Sequence, residues 1–356
     1  MSESMEKSLK STGENSGPEE TLWSKWKEWL LNYSLYIILG VLVIGVVAAE
    51  PSFLSFSNLS KIMAQASTRG ILALGVAGMI VYTGTDLSAG RILGFCAAIS
   101  ASLLQSVTYA SRMYPGITEP LPLIVPLLLS IVAGMVFCSV NAFGFAVLRM
   151  HPFIISLGTQ LIAYGSLCLY IDSQASGAQP LASLDPRYIG VVNGSFDLGF
   201  MNLPYLVVYL ILCALAMWVI WNKTTLGKNM FAIGGNPEAA AVSGVNLSRN
   251  IFGVYLVAGA LYGIAAFLEA GRVQSVTTST GLNYDLDAIS ACVIGGVSFT
   301  GGVGTIPGVL IGVTILQVIN YSLYYLGVNA YLQYIIKGLI IIMAVAIDVR
   351  KYIAKK

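Results

Sequence analysis

The string Gly234-Gly235-Asn236-Pro237-Glu238-Ala239-Ala240-Ala241-Val242-Ser243-Gly244 lies between two strongly apolar stretches and is written as a self-contained helix. Asn236 can cap the first free amides and Pro237 suits the first helical position. Glu238 complements the positive end of the helix dipole, and Gly244 can close the last turn in a left-handed conformation. Such a helix is only about 10 Å long. It is too short to span a bilayer and too marginal to stay folded alone, so it is expected to dock on something. An ordinary loop helix would carry the same caps, because caps report local structure and not partners.

Two further strings interrupt the apolar pattern, Thr83-Gly84-Thr85-Asp86-Leu87-Ser88-Ala89-Gly90 and Gly295-Gly296-Val297-Ser298-Phe299-Thr300-Gly301-Gly302. In register, Gly84 falls over Gly296, Asp86 over Ser298, Ser88 over Thr300 and Gly90 over Gly302, which suggests a parallel internal repeat. Glycine and hydroxyl residues let helices approach closely or unwind, and exposed backbone in a bilayer is tolerable only against protein or water. Thr85, Asp86, Ser88, Ser298 and Thr300 are therefore candidates for a translocation path. An ionised Asp86 at mid-bilayer would cost about 2.5 to 3.5 kcal/mol, so it should lie at the cytoplasmic edge or be paired. The competing role for Asp86 is the cap of a helix that begins near Leu87.

The remaining titratable residues assemble no catalytic set. Glu269 and Arg272 suit a helical ion pair worth a few tenths of a kcal/mol. Asp285 and Asp287 are two apart and would point to different faces of a helix, which argues against a paired-carboxylate acid/base site. His151, the one histidine, precedes Pro152 and reads as a helix start rather than a metal ligand. Cys96, Cys138, Cys168, Cys213 and Cys292 fall in apolar stretches without a CxxC pair and read as small buried hydrophobes. Gly302-Val303-Gly304 is a fragment of a dinucleotide fingerprint in the wrong context, and no GxxxxGK[ST] loop occurs. The expectation is a chain with no catalytic residues, metal or cofactor of its own, which does not bind ATP by itself.

The elements that must position these residues are membrane helices. Hydrophobic residues make up 56% of the 356-residue chain and charged residues 10%, with a mean hydropathy of +0.78. That composition marks an integral, all-α membrane protein. A net charge of +2 and the lack of basic runs interleaved with aromatics give no sign of a nucleic-acid partner. With about 20 apolar residues needed per crossing, the expected spans are 34–49, 62–82, 90–109, 121–145, 153–171, 204–221, 250–268, 286–299, 303–325 and 331–347. This is a polytopic bundle of about ten transmembrane helices. The segment at 286–299 is short and Gly301-Gly302 breaks the chain after it, so 286–325 could instead be a re-entrant or broken pair.

Residues 1–30 form a polar cytoplasmic tail in which Trp23, Trp26 and Trp29 with Lys25 and Lys27 read as an interfacial helix. Residues 31–356 form the membrane domain, with a polar loop at about 222–249. With both termini cytoplasmic, thirteen Lys and Arg fall inside and four outside, the latter being Lys61, Arg112, Arg187 and Arg272. That asymmetry obeys the positive-inside rule and puts the 236–243 helix in the cytoplasm. The loops 110–120 and 172–203 then fall outside. The longer one either covers helix ends or receives a soluble partner.

These residues resemble a known family. Glu238-Ala239-Ala240 followed by Gly244 is similar to the EAA-type coupling motif of ABC importer permeases. The surrounding Trp221-Asn222-Lys223-Thr224-Thr225-Leu226-Gly227-Lys228 and Phe231-Ala232-Ile233-Gly234-Gly235-Asn236-Pro237 resemble the monosaccharide importers of the ribose/galactoside branch. So do Pro152-Phe153-Ile154, Leu286-Asp287-Ala288-Ile289 and Tyr334-Ile335-Ile336-Lys337-Gly338. Within the branch, Thr85 to Arg91 and Leu268-Glu269-Ala270-Gly271-Arg272 are most similar to the galactose/methyl galactoside type. The resemblance runs from about residue 35 to the C-terminus.

It implies a permease dimer in a bacterial cytoplasmic membrane. It also implies a cytoplasmic ABC ATPase, often two domains in one chain, and an extracytoplasmic sugar-binding protein. Gly234, Gly235, Asn236, Pro237, Glu238, Ala239, Ala240 and Gly244 would contact the ATPase. Permeases for ribose or another sugar or nucleoside of the branch are the near alternative. An ion-coupled transporter would want carboxylates within the spans, which read as nearly devoid of them. A membrane enzyme would need a nucleophile, a metal set or an acid/base pair, and none is assembled.

Overall fold

The structure is a computed structural model and describes residue 40, residues 43–175 and residues 177–353. The expected tail and tryptophan helix, and most of the expected span at 34–49, lie outside the described residues. Helical residues 43–49 and a 3-10 turn at Pro51–Leu54 lead into α1 (Phe56–Val81). There follow α2 (Ala89–Leu103), α3 (Ile124–Ala146), α4 (Pro152–Asp172) and α5 (Pro186–Asn193). A short hairpin of β1 (Ser195–Asp197) and β2 (Asn202–Pro204) comes next. The chain continues through α6 (Tyr205–Lys223), α7 (Thr225–Gly235), α8 (Pro237–Val242), α9 (Leu247–Val273), α10 (Tyr284–Ile294), α11 (Ile306–Tyr325) and α12 (Ala330–Ile353).

Among the described residues, α1, α3, α4, α6, α9 and α11 are long and apolar enough to cross a bilayer, while α2 and residues 330–343 of α12 are shorter apolar segments. The expected span at 90–109 ends at Leu103. The expected span at 286–299 is only the eleven-residue α10, about 16 Å long against a hydrocarbon layer of about 30 Å. The break that Gly301-Gly302 suggested does follow this helix. The left-handed residues Gly296, Gly301 and Gly302 end the helix, and Asn283, also left-handed, starts it late.

Sequence caps account for most helix ends. Ser55, Asn246 and Thr305 accept from backbone amides three residues on, at the starts of α1, α9 and α11. His151 Nδ1 accepts from Phe153 N at 3.3 Å at the start of α4, the structural role expected of it. In the 172–203 connection, Asp185 caps α5 and Arg187 forms an ion pair with it at 2.7 Å. That connection is tied down at both flanks, Asp185 N to Leu104 O at 2.7 Å and Leu181 N to Val276 O at 2.9 Å. It covers the ends of α2 and α9.

The centre of the bundle is α9, which packs against α3, α1 and α2. Apolar residues line both the interior and the periphery, so hydropathy cannot tell them apart; small residues mark the interior, where backbones meet. At the crossing of α3 and α9, a Cβ on Gly134 would lie 2.2 Å from Gly259 O, and one on Gly263 would lie 2.5 Å from Ser130 O. Ser130 Oγ donates to Gly263 O at 3.1 Å in the same contact. Outer faces of α3, α4 and α6 carry exposed Val136, Leu169 and Leu212, as bilayer-facing helices do.

Gly134→Ala should destabilise the fold by about 1 to 3 kcal/mol, the cost of overpacking. Gly165→Ala, at a helical site with open space, should be neutral or slightly stabilising. Thermal unfolding in detergent would compare the two. A second expectation concerns pH. Hydrogen bonds from Arg187 hold the Asp185 carboxyl below its ordinary range, against a smaller opposing effect of burial. Its contribution to the start of α5 should be present above the ordinary carboxyl pKa of about 4 and be lost as pH falls through the lower folded value. Exchange protection of the Arg187 amide should follow that titration, and Asp185→Asn should flatten it.

Candidate functional site

The short helix forms where its sequence places it. Asn236 Oδ1 accepts from Ala239 N at 2.9 Å, and Gly244 is left-handed with φ of 85°. Gly244 N and Val245 N close the last turn onto Ala241 O and Ala240 O, at 3.0 and 3.1 Å. Only Ala240 of α8 is buried; Pro237, Glu238, Ala239 and Val242 face outward, with Val242 90% exposed. An apolar side chain this exposed at a helix end leaves α8 unfinished as an isolated surface.

Behind α8, the last turn of α7 meets the membrane helices backbone to backbone at Gly234. A Cβ on Gly234 would lie 2.0 Å from Val81 O and 2.6 Å from Gly302 N. Gly302 N donates to that same Val81 O at 3.0 Å. A Cβ on Gly301 would meet the Thr83 methyl at 2.5 Å. The two glycine strings therefore meet at one corner, beneath α7 and α8. Gly235 has open space around its own Cβ position. The repeat register holds for the incoming helices, where Val81 falls opposite Val293, one residue before the end of α10. It fails for the outgoing ones, because α2 begins at Ala89 whereas α11 begins five residues later than that register requires.

Asp86 is fully buried rather than at an exposed edge. Its Oδ1 accepts from Ser88 N at 2.8 Å and from the Ser88 hydroxyl, and Tyr262 OH on α9 donates to Oδ2 at 3.0 Å. Asn141 Nδ2 on α3 donates to Ser88 Oγ at 2.9 Å and reaches Asp86 Oδ1 at 3.4 Å. Asp86 thus makes the local turn bond of a helix start and also ties the α1–α2 turn to α3 and α9. Arg91 is not its partner; that side chain stacks on Tyr164 and donates to Thr278 O. Thr85 contributes its carbonyl to Ser156 at 3.2 Å. Ser298 and Thr300 hydroxyls bond one another at 2.9 Å in the second turn, with Ser298 buried and Thr300 exposed. The five path candidates therefore divide between two turns that touch at Thr83 and Gly301.

The largest departure from the sequence reading is a second, charged group of residues. Glu269 is 1% exposed and accepts from Arg272 Nη2 and Nε at 2.7 and 2.8 Å, from Tyr284 OH at 2.7 Å and from Thr68 Oγ1 at 2.8 Å. It is no marginal surface pair. Asp287 is held by Arg69 of α1 and by Lys337 of α12 at 3.3 Å, and the Arg69 guanidinium lies 3.5 Å over the Tyr284 ring. Asp285 and Asp287 do face apart, Asp285 toward Gly90 of α2, yet both are buried. The spans are thus not devoid of carboxylates: Asp86, Glu269, Asp285 and Asp287 are all inside the bundle. The joining of distant segments by packing carried no local signal.

Family comparison fits this architecture. The family model described as "Branched-chain amino acid transport system / permease component" matches residues 58–345. The chain belongs to this permease family. The permease is 49% identical over 324 residues to the galactose/methyl galactoside import permease of Haemophilus influenzae, covering 91% of this chain and 95% of that one. It is 48% identical over 329 residues to the protein of the same description from Escherichia coli strain K12, covering 92% and 97%. The ribose import permease of Bacillus subtilis is more distant, at 33% over 316 residues, covering 89% and 92%. No solved structure matches the permease significantly. These relatives are transport permeases rather than enzymes, and the permease is a multi-pass membrane protein by family and by its apolar helices.

Asp86→Leu should leave the Ser88, Asn141 and Tyr262 donors facing an apolar side chain. At about 1 to 3 kcal/mol for each unsatisfied buried group, loss of the folded protein is expected. Tyr262→Phe removes one bond and should cost about 1 kcal/mol. Comparing thermal melts of the purified variants checks both, and equal stability of Asp86→Leu and the wild type would contradict the assignment.

Proposed function

We propose that this chain is the transmembrane permease subunit of an ATP-binding-cassette importer for a monosaccharide, galactose or methyl galactoside. The geometry that carries the reading is the seat of α7 and α8. Gly234 brings the last turn of α7, to which α8 is joined at Asn236, into backbone contact with the end of α1 and with the α10–α11 turn, so a push on α8 has a short route into the bundle. Identity near one half with galactose/methyl galactoside import permeases, over nearly the whole chain, supports the substrate. The family description mentions branched-chain amino acids. The sugar permeases, by contrast, align with this chain almost end to end.

In this reading Gly234 to Ala240 and Gly244 form the surface that meets a cytoplasmic ATPase, with two permease copies side by side and a sugar-binding protein on the outer face. Both termini are cytoplasmic, and thirteen cations against four support that orientation. The ten-segment topology is kept, with the 274–283 loop and α10 together making one crossing. Residues 1–30 form the tail and 31–356 the permease domain. Closure of the ATPase displaces α8, and the tied turns of Thr85, Asp86, Ser88, Ser298 and Thr300 move with it, so that access alternates between the two sides.

The four buried carboxylates favour one rival, an ion-coupled transporter. Proteoliposomes decide between them: uptake should follow internal ATP with the ATPase present and ignore imposed proton or sodium gradients. Glu238→Lys reverses the charge at the start of α8, and Gly244→Pro cannot adopt the positive φ found there. Each variant should insert normally and lose at least nine-tenths of ATP-driven galactose uptake. Full uptake by both would refute the coupling role.

A further inference from the structure

A cavity of about 590 Å³ opens beside the turn that follows α8. Its walls are the first turns of α7, the 243–246 turn and the first two turns of α9. The volume falls within the range of about 300 to 1,000 Å³ usual for small-molecule sites, and in the orientation proposed above the cavity faces the cytoplasm. Its polar lining is Thr225, Asn229, Ser243, Asn246, Arg249 and Asn250, with no carboxylate among the lining residues. Two of these are engaged locally: the Ser243 hydroxyl donates to Ala239 O, and Asn246 Oδ1 accepts from Arg249 N, both at 2.9 Å. The Thr225 hydroxyl, the Asn229 amide and the Arg249 guanidinium have no partner among the described residues.

Asn250 decides what the cavity asks for. It is 6% exposed, and its Oδ1 accepts from Tyr82 OH. Its Nδ2 has no partner among the described residues, yet it is not one of the unsatisfied atoms sealed within the bundle. Because the side chain lines the cavity, the free N–H donors face it. A buried amide that has spent its acceptor on a tyrosine and turns only donors to a cavity requires an acceptor there. The Arg249 guanidinium can only donate, and no carboxylate lies in the cavity to neutralise it. Both α7 and α9 begin here, so two positive dipole ends add to the same sign. A planar carboxylate would suit the guanidinium alone. The donors arrive from two helices, however, and a tetrahedral phosphoryl group presents oxygens outside a single plane.

We propose that this cavity binds a phosphate ester from the cytoplasmic side and that its occupancy holds the coupling element at rest. The bond from Tyr82 to Asn250 starts one residue from Val81, whose carbonyl accepts from Gly302 N and is closed over by Gly234. A ligand that bridges α7, the turn after α8 and α9 therefore braces α8 against the bundle, and import slows while it is bound. The site stands on the cavity alone; its effect on import rests on the coupling reading above.

The test uses the full chain, with glycerol phosphate as the soluble probe. It should raise the thermal midpoint of the purified protein saturably, whereas glycerol, or sodium chloride at matched ionic strength, should not. Arg249→Gln changes an exposed side chain and should weaken the apparent affinity about tenfold, the worth of one charge-assisted hydrogen bond. Asn229→Asp sets a carboxylate in the cavity and should abolish the response. Phosphatidylcholine vesicles with and without phosphatidylglycerol separate the two sources of a phosphoryl group: stabilisation by phosphatidylglycerol alone, lost in Arg249→Gln, assigns the same chemistry to a lipid headgroup. No response specific to either source, or one unaltered in both variants, overturns the site. Loss of the response on adding the ATPase also overturns it, in favour of an acidic side chain of that partner. In proteoliposomes with the ATPase and sugar-binding protein, glycerol phosphate on the ATPase side should lower ATP-driven galactose uptake by the wild type, and uptake by Arg249→Gln should be insensitive to it. Binding without that inhibition overturns the bracing effect. A wild-type complex that carries no galactose overturns the permease reading and leaves the binding result standing.

Discussion

The carbonyl oxygen of Val81, at the end of α1, faces a requirement that a water-exposed helix end does not. Within a membrane domain a helix terminus must find its hydrogen-bond partners in the protein. Here Gly302 supplies the amide, at 3.0 Å, and Gly234 closes over the same oxygen so tightly that no side chain fits. A single backbone acceptor thereby joins three segments that are far apart in sequence: the end of α1, the turn after α10 and the last turn of α7. Backbone contacts of this kind have no rotamers to absorb a displacement. The last turn of α7 is therefore tied to both turns at once.

The same requirement shapes the other side of the bundle. The segment before α10 is irregular, and lies along α2 where Gly90 and Gly94 leave space: a Cβ on Gly281 would lie 1.9 Å from Gly90 O, and one on Gly94 would lie 2.4 Å from Thr280 O. Non-helical backbone is tolerated there because it is covered by protein. The consequence is a half-length helix whose first turn brings Tyr284, Asp285 and Asp287 into the interior instead of leaving them at a membrane surface. α9 provides the reference frame for both sides, with Gly259 and Gly263 fixing α3, Tyr262 holding Asp86 and Glu269 holding Tyr284.

Local features were readable in the sequence and long-range ones were not. Asn236, Pro237 and Gly244 specify α8 within nine residues of chain, so caps alone located it. Hydropathy found the long spans because each satisfies its own backbone bonds. It failed at 286–299 because apolarity says nothing about whether a chain at that depth is helical, and the deciding residues, Asn283 and Gly296, act through left-handed backbone. Glu269 and Arg272 were legible as a pair from their spacing, but Thr68, more than 200 positions away, has no periodicity that announces it. Asp86 offered the clearest warning, since a lone carboxylate in an apolar region must be paired or functional; its partners Tyr262 and Asn141 read as ordinary helix residues.

The pairing pattern of the buried carboxylates bears on what such a bundle can carry. A carboxylate that moves protons or sodium must be free to change partner, so it is held by neutral donors and reached by water. Glu269 and Asp287 are instead clamped by guanidinium and ammonium groups. Asp86 has neutral donors but is enclosed on every side, with its Oδ1 engaged by both the amide and the hydroxyl of Ser88. None of these three carboxylates meets both conditions for carrying an ion. Clamped charges still present strong donors and acceptors to a neutral solute, at the cost of desolvating ions that the bilayer cannot rehydrate. That cost is rational for a conduit whose cargo is uncharged and hydroxylated.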